Sequence, residues 1–135
     1  MPGTLIILPT FNEAENLQPM AERLLAMEPA LEVLVVDDNS PDGTGEIADG
    51  LAKSNERLHV LHRQEKDGLG RAYCAGFAWA LERGYEFVFE MDCDFSHDPD
   101  EIPRFIDKAN AEHAEEDHGE VARQPAVHMD GGPRL

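Results

Sequence analysis

The chain has 135 residues, room for one domain with one sizeable core, and its 41% hydrophobic content exceeds what an acidic disordered chain carries. Eleven Lys and Arg against 28 Asp and Glu give a net charge of −17, a balance that repels phosphate backbones and excludes general nucleic-acid binding. Two cysteines without CxxC spacing, Cys74 and Cys93, exclude a disulfide framework and a structural zinc site and fit a reducing, cytoplasmic compartment. No apolar run approaches the ~20 residues of a membrane span. Leu5 to Leu8, closed by Pro9 and followed by Glu13 and Glu15, is too short and too acidic for a signal peptide.

In chain order, Leu5-Ile6-Ile7-Leu8 reads as a buried strand, and the Asn12 to Glu15 spacing as a capping box opening a helix on Leu17, Met20, Ala21, Leu24 and Leu25. Leu31 to Val36 is a second apolar strand ended by Asp37-Asp38. A helix over Gly45 to Ser54 follows on Ile47, Ala48 and Leu51. Leu58 to Leu61 is the third strand. The third helix runs from Gly70 to Arg83 with Tyr73, Gly76, Phe77, Ala80 and Leu81 on one face and Gly84 as its terminator. Phe87 to Phe89 is the fourth strand, and Asp98 as cap, Pro99 and Glu101 open a fourth helix on Ile102, Phe105, Ile106 and Ala109. This alternation predicts an α/β fold around a parallel sheet, with ligands at the carboxyl ends of the strands. The predicted folded region is 1–110. The remaining 111–135 lacks an apolar stripe and reads as an acidic, disordered tail, in which His113, His118 and His128 are solvated rather than a metal cluster.

Three polar clusters fall at one sheet edge: 9–13, 37–44 and 91–97. In Asp92-Cys93-Asp94 an extended backbone turns both carboxylates to the same side, where they can share a divalent cation with substrate phosphates. The alternative is that Asp94 or Asp98 caps the next helix and Asp92 is exposed. Asp37 and Asp38 end an apolar strand and invite a base N–H or a ribose hydroxyl, while Ser40 to Thr44 are equally explained as turn and helix cap. Lys66 to Gly70 can bring backbone N–H groups to an anion at the third helix, but no P-loop follows and Tyr73 stands where a dinucleotide fingerprint needs glycine. Cys74 and Cys93 read as spectator thiols, and Trp79 as cover for the rim of the sheet.

Taken together, LPTFNE at 8–13, VVDDNSPDGT at 35–44, KDGLGRAYCAGFAWAL at 66–81 and MDCDFSHDP at 91–99 resemble the family 2 glycosyltransferases, within them the polyprenol (dolichol) monophosphate mannose synthases. The resemblance spans residues 4 to about 106. It implies a GT-A, Rossmann-like nucleotide-sugar fold and metal-assisted, inverting transfer of mannose from GDP-mannose to a polyprenyl phosphate at the cytosolic face of a membrane. Carried over by position, it implies that Pro9, Phe11 and Glu13 line the nucleotide pocket, Phe11 standing where tyrosine is common. Val36 and Asp38 would contact base or ribose, and Asp92 and Asp94 would be the catalytic metal acids holding Mg²⁺ or Mn²⁺. Cys93, between them, occupies a nucleotide-binding position where alanine is usual. An acceptor phosphate is already nucleophilic, so no general base is required and His97 reads as a loop residue. Family members continue into further strands and phosphate-holding arginines, so the phosphate-clamping part is expected to be missing here, and with it any firm membrane contact. Two alternatives remain: a truncated, non-catalytic nucleotide-sugar binder, and a receiver-type phosphotransfer domain suggested by Leu34 to Asn39.

Overall fold

The computed structural model describes residues 3–27, 31–64, 69–93, 101–115, 127–128 and 132–133. Strands β1 (Thr4–Thr10), β2 (Glu32–Asp37), β3 (Leu58–His62) and β4 (Phe87–Glu90) alternate with helices α1 (Ala14–Leu25), α2 (Thr44–Ser54), α3 (Leu69–Arg83) and α4 (Ile102–Glu115). Two further strands, β5 (Val127–His128) and β6 (Gly132–Pro133), complete a sheet of order β3-β2-β1-β4-β5-β6. All neighbours pair in parallel except β5 and β6. The chain therefore builds outward from β1 through β2 to β3, then crosses back to place β4 on β1's other side. That reversal makes the carboxyl ends of β1 and β4 a topological switch point, where open α/β sheets bind ligands.

The apolar runs are continuous because both sheet faces are covered. Ile6, Leu8, Val33, Val35, Phe87 and Phe89 face one core, packed with Leu17, Met20 and Leu24 of α1, Ala48 of α2, and Ile102 and Ile106 of α4. Leu5, Ile7, Leu34 and Val36 face a second core beneath α3, with Ala72, Tyr73 and Ala80. Gly76 allows α3 to lie this low: a Cβ there would stand 3.0 Å from both Cδ1 and Cγ2 of Ile7. Gly84, at φ +76°, ends the helix in the left-handed region that only glycine enters at little cost.

One predicted helix start differs from the structure. Asn12 has φ +59°, incompatible with an N-cap, so the expected capping box does not form; the N-cap is Glu13, without a side-chain cap of its own. The amides leading into α1 are instead satisfied by the loop after β2 and by the first residue of α2: Asn12 N–H donates to Ser40 Oγ (3.0 Å), Glu13 N–H to Thr44 Oγ1 (3.0 Å) and Ala14 N–H to Asp42 Oδ2 (3.1 Å). A tertiary loop has replaced a local motif. The fourth helix begins at Ile102 with Pro103 as its second residue, where the missing N–H costs no intrahelical bond. The expected cap, Asp98-Pro99, lies outside the described residues.

The helix also extends to Glu115, and 127–128 and 132–133 contribute strands, within the stretch expected to be a tail. Strands of two residues carry no readable period. At the opposite end of α1, the Arg57 guanidinium donates to the carbonyls of Leu25 (2.7 Å) and Leu31 (3.0 Å), satisfying the last turn of the helix with a cation where its dipole favours one.

Candidate active site

The acidic pair after β2 divides into two roles. Asp37 is 2% exposed. Its Oδ1 accepts the hydroxyls of Thr10 and Ser40, each at 2.7 Å, and its Oδ2 accepts Ser40 N–H at 3.0 Å. Gly45 packs against it, since a Cβ there would be 3.2 Å from Asp37 Oδ2. This carboxylate ties the ends of β1 and β2 to the following loop, and the donors expected of a nucleotide are already supplied by protein.

Asp38 points the other way, as successive strand residues do. Its backbone N–H continues the ladder to Thr10 O (3.1 Å), and its Oδ1 accepts from Arg63 Nη1 at 3.2 Å. Arg63 stands one residue past β3, and its own N–H donates to Asp37 O at 2.8 Å. It was not singled out from sequence, although its position at a strand's carboxyl end is the same signal that marked the other three clusters. In the loop between, Asp42 Oδ1 accepts the Thr44 hydroxyl in a short bond and Thr44 N–H at 3.0 Å. Those bonds, the Thr44 side chain first, hold the Asp42 carboxyl below its ordinary value despite an opposing desolvation effect.

Pro9 is buried in β1 opposite Val36 of β2. Phe11 and Glu13 are half-buried beyond the strand, and Glu13 accepts from Asn16 Nδ2 at 3.1 Å. The Val36 side chain is fully enclosed in the core under α3.

On the other side of β1, Met91 N–H donates to Ile7 O at 3.0 Å, which carries the β4 ladder one residue past the strand. Asp92 follows immediately, half-buried, and its Oδ1 accepts the Tyr73 hydroxyl at 3.2 Å. The bond from Tyr73 was not foreseen; the sequence reading placed this residue on the apolar face of α3 and as a break in a dinucleotide fingerprint. Cys93 is 2% exposed and packs into the core on the opposite sheet face, as a spectator thiol would. Asp94, His97 and the stretch 66–68 lie outside the described residues.

Asp38 and Asp92 thus stand just past the strands on either side of β1, two strand positions apart across the sheet and offset by two residues along it. Among the described residues no group of three His, Cys, Asp or Glu could hold a metal ion. Asp92 still suits a hard divalent cation: its carboxylate is half-exposed at the switch point, and magnesium sites need only one or two protein carboxylates when phosphate oxygens and water complete the shell.

The model of glycosyl transferase family 2 matches residues 5–119. The polyprenol monophosphomannose synthase of Mycolicibacterium smegmatis is 52% identical over 109 residues, covering 80% of this chain and 41% of that protein. The undecaprenyl-phosphate mannosyltransferase of Micrococcus luteus is 54% identical over 103 residues, covering 76% of this chain and 42% of that protein. The chain therefore spans less than half the length of these curated relatives.

Among solved structures, the mannosyltransferase PcManGT from Pyrobaculum calidifontis, in complex with GDP-Man and Mn²⁺, aligns with a TM-score of 0.58 at 28% identity over 69% of this chain and 28% of its own. S. aureus TarS in complex with UDP-GlcNAc aligns with a TM-score of 0.67 at 24% identity, over 83% of this chain and 32% of its own, a likeness of fold. The receiver-type alternative is set aside by the family match. With its parallel GT-A sheet and a family model matched over most of its length, the chain belongs to glycosyltransferase family 2.

Proposed function

We propose that this chain is the donor-binding part of a glycosyltransferase that moves mannose from GDP-mannose to a polyprenyl phosphate with inversion. The observation that carries the reading is the placing of Asp38 and Asp92 on either side of β1 at the switch point, in a chain 52% identical over four fifths of its length to a protein named polyprenol monophosphomannose synthase. Pro9, Phe11 and Glu13 would line the nucleotide pocket. Asp38, oriented by Arg63, would accept from base or ribose, and Val36, with its side chain in the core, would contribute only backbone.

Asp92 and Asp94 would hold Mg²⁺ or Mn²⁺, which when bound supplies neutralisation of the charge developing on the departing diphosphate. Cys93 would serve as the spacer that turns these two acids to one side. The acceptor's phosphate oxygen carries its own negative charge, so no proton need be removed and no histidine base is required. Among the described residues no helix is long and apolar enough to cross a membrane. The lipid acceptor would be met peripherally, at the cytosolic face.

Calorimetry with GDP-mannose and Mn²⁺, beside an assay of radiolabelled mannose transfer to a polyprenyl phosphate, tests the reading. Binding with transfer is the expected result. Binding without transfer would leave a nucleotide-sugar binder, and absence of binding in the presence of cation would end the assignment.

A further inference from the structure

Tyr73 is 5% exposed, and the hydroxyl of this buried ring reaches the one described carboxylate of the Asp92-Cys93-Asp94 segment. It does so because of how α3 is seated. Gly76 lies one turn further along and Ala80 two turns, so the three share a face. A side chain at 76 would strike Ile7, whereas glycine lets that face settle onto β1. The ring of Tyr73 then lies in the core with Ala72, and its hydroxyl extends 3.2 Å from Asp92 Oδ1 beyond the end of β4. An ionised carboxylate offers only acceptors and a phenol offers one donor, so the bond engages one oxygen of Asp92 and biases the rotation of the carboxylate plane.

We propose that Tyr73 is a positioning residue for Asp92. By holding Oδ1 it presents the other carboxylate oxygen toward a divalent cation at the switch point and reduces the rotational freedom that cation binding would otherwise have to freeze. This rests on the reading of Asp92 as a cation ligand given above. It goes beyond it in coupling the glycine-containing third helix to the site: the register of α3 on β1 sets the geometry of the acid that follows β4.

The experiment reads binding rather than turnover. GDP affinity of the full chain is measured calorimetrically in EDTA and in saturating Mn²⁺, and the ratio of the two is the cation's enhancement. In Tyr73→Phe the enhancement is expected to fall about 10-fold, the low end of what loss of an outer partner costs a metal site. The affinity in EDTA and the melting temperature should stay close to those of the parent.

Two controls separate the possible failures. Tyr85→Phe removes another tyrosine hydroxyl donated to a carboxylate, Glu32 Oε1 at 2.7 Å, far from the rim, and must leave the enhancement intact. An equal loss there would mean general loosening and would overturn the proposal. Asp92→Asn must abolish the enhancement. If Asp92→Asn abolishes it and Tyr73→Phe does not, positioning by Tyr73 is refuted while the cation reading stands. If the parent shows no enhancement, or Asp92→Asn keeps it, both fall together.

Discussion

Asp37 and Asp38 are adjacent, chemically identical and both buried, yet the structure assigns them different work, and substitution separates them. Replacing Asp37 by Ala removes the acceptor of three hydrogen bonds: those from the Thr10 hydroxyl, the Ser40 hydroxyl and Ser40 N–H. The Thr10 hydroxyl has a fallback in Val36 O, 3.5 Å away. Ser40 N–H has none of comparable quality, and the Ser40 hydroxyl, which also accepts Asn12 N–H, loses its anchor. At about 1–3 kcal/mol for a buried group left unsatisfied, with Thr10 partly rescued and Ser40 half-buried and able to reach water, Asp37→Ala should cost roughly 2–3 kcal/mol.

Asp37→Asn should cost only about 1–2 kcal/mol. Its carbonyl can take Ser40 N–H while its NH₂ turns to the hydroxyls, which can accept, so charge-assisted bonds become neutral ones rather than disappearing. Urea denaturation followed by circular dichroism gives both values, and the Ala variant should melt about 6–15 °C below the parent. GDP affinity of the Asn variant, measured where it is fully folded, should stay within a few-fold. If Asp37→Ala kept its stability to within 0.5 kcal/mol, the structural role would be wrong. If Asp37→Asn lost nucleotide affinity without losing stability, the acid would be a ligand contact and the division of labour would be reversed.

Asp38→Asn should weaken GDP about 10-fold, or 1.4 kcal/mol, by calorimetry, and because it replaces the charged partner of the largely buried Arg63 guanidinium by a neutral one it should also cost about 1–2 kcal/mol in urea. The Asp42 carboxyl is held low by the Thr44 bond, so its contribution to stability is present above the ordinary carboxylate value and is lost as pH falls through the lower folded one. The stability advantage of the parent over Asp42→Asn, read from urea midpoints, should therefore be full at pH 6 and shrink progressively below pH 4. Arg57→Ala strips two carbonyl contacts at the end of the sheet remote from the site and should cost about 2 kcal/mol in denaturant melts without altering GDP affinity. A change in affinity there would mean that the two ends of the sheet are coupled.

The strands were legible because Leu5 to Leu8 and Val33 to Val36 are unbroken apolar runs, and an unbroken run of strand length is what a sheet covered on both faces requires. Helix α3 was legible for the same kind of reason, its small and aromatic residues recurring at helical spacing up to Gly84. The start of α1 was misread because Asn12 and Glu15 have capping-box spacing, a local criterion, while the amides there are satisfied by Ser40, Asp42 and Thr44 across 28 to 31 residues of chain. Arg63 and Tyr73 escaped notice because the contacts that bring them to the acids span 25 residues, to Asp38, and 19, to Asp92, and no periodicity encodes them.

Element order, the parallel sheet and the family motifs were thus written in the chain, because each depends on residue spacings of a few positions that backbone geometry alone converts into strand, turn or helix. Which acid braces the scaffold, what satisfies the start of the first helix, and which phenol bonds Asp92 were decided by the packed molecule. Those outcomes depend on which groups the crossing from β3 back to β4 brings within hydrogen-bonding reach, and a distance across the fold has no counterpart in the distance along the chain.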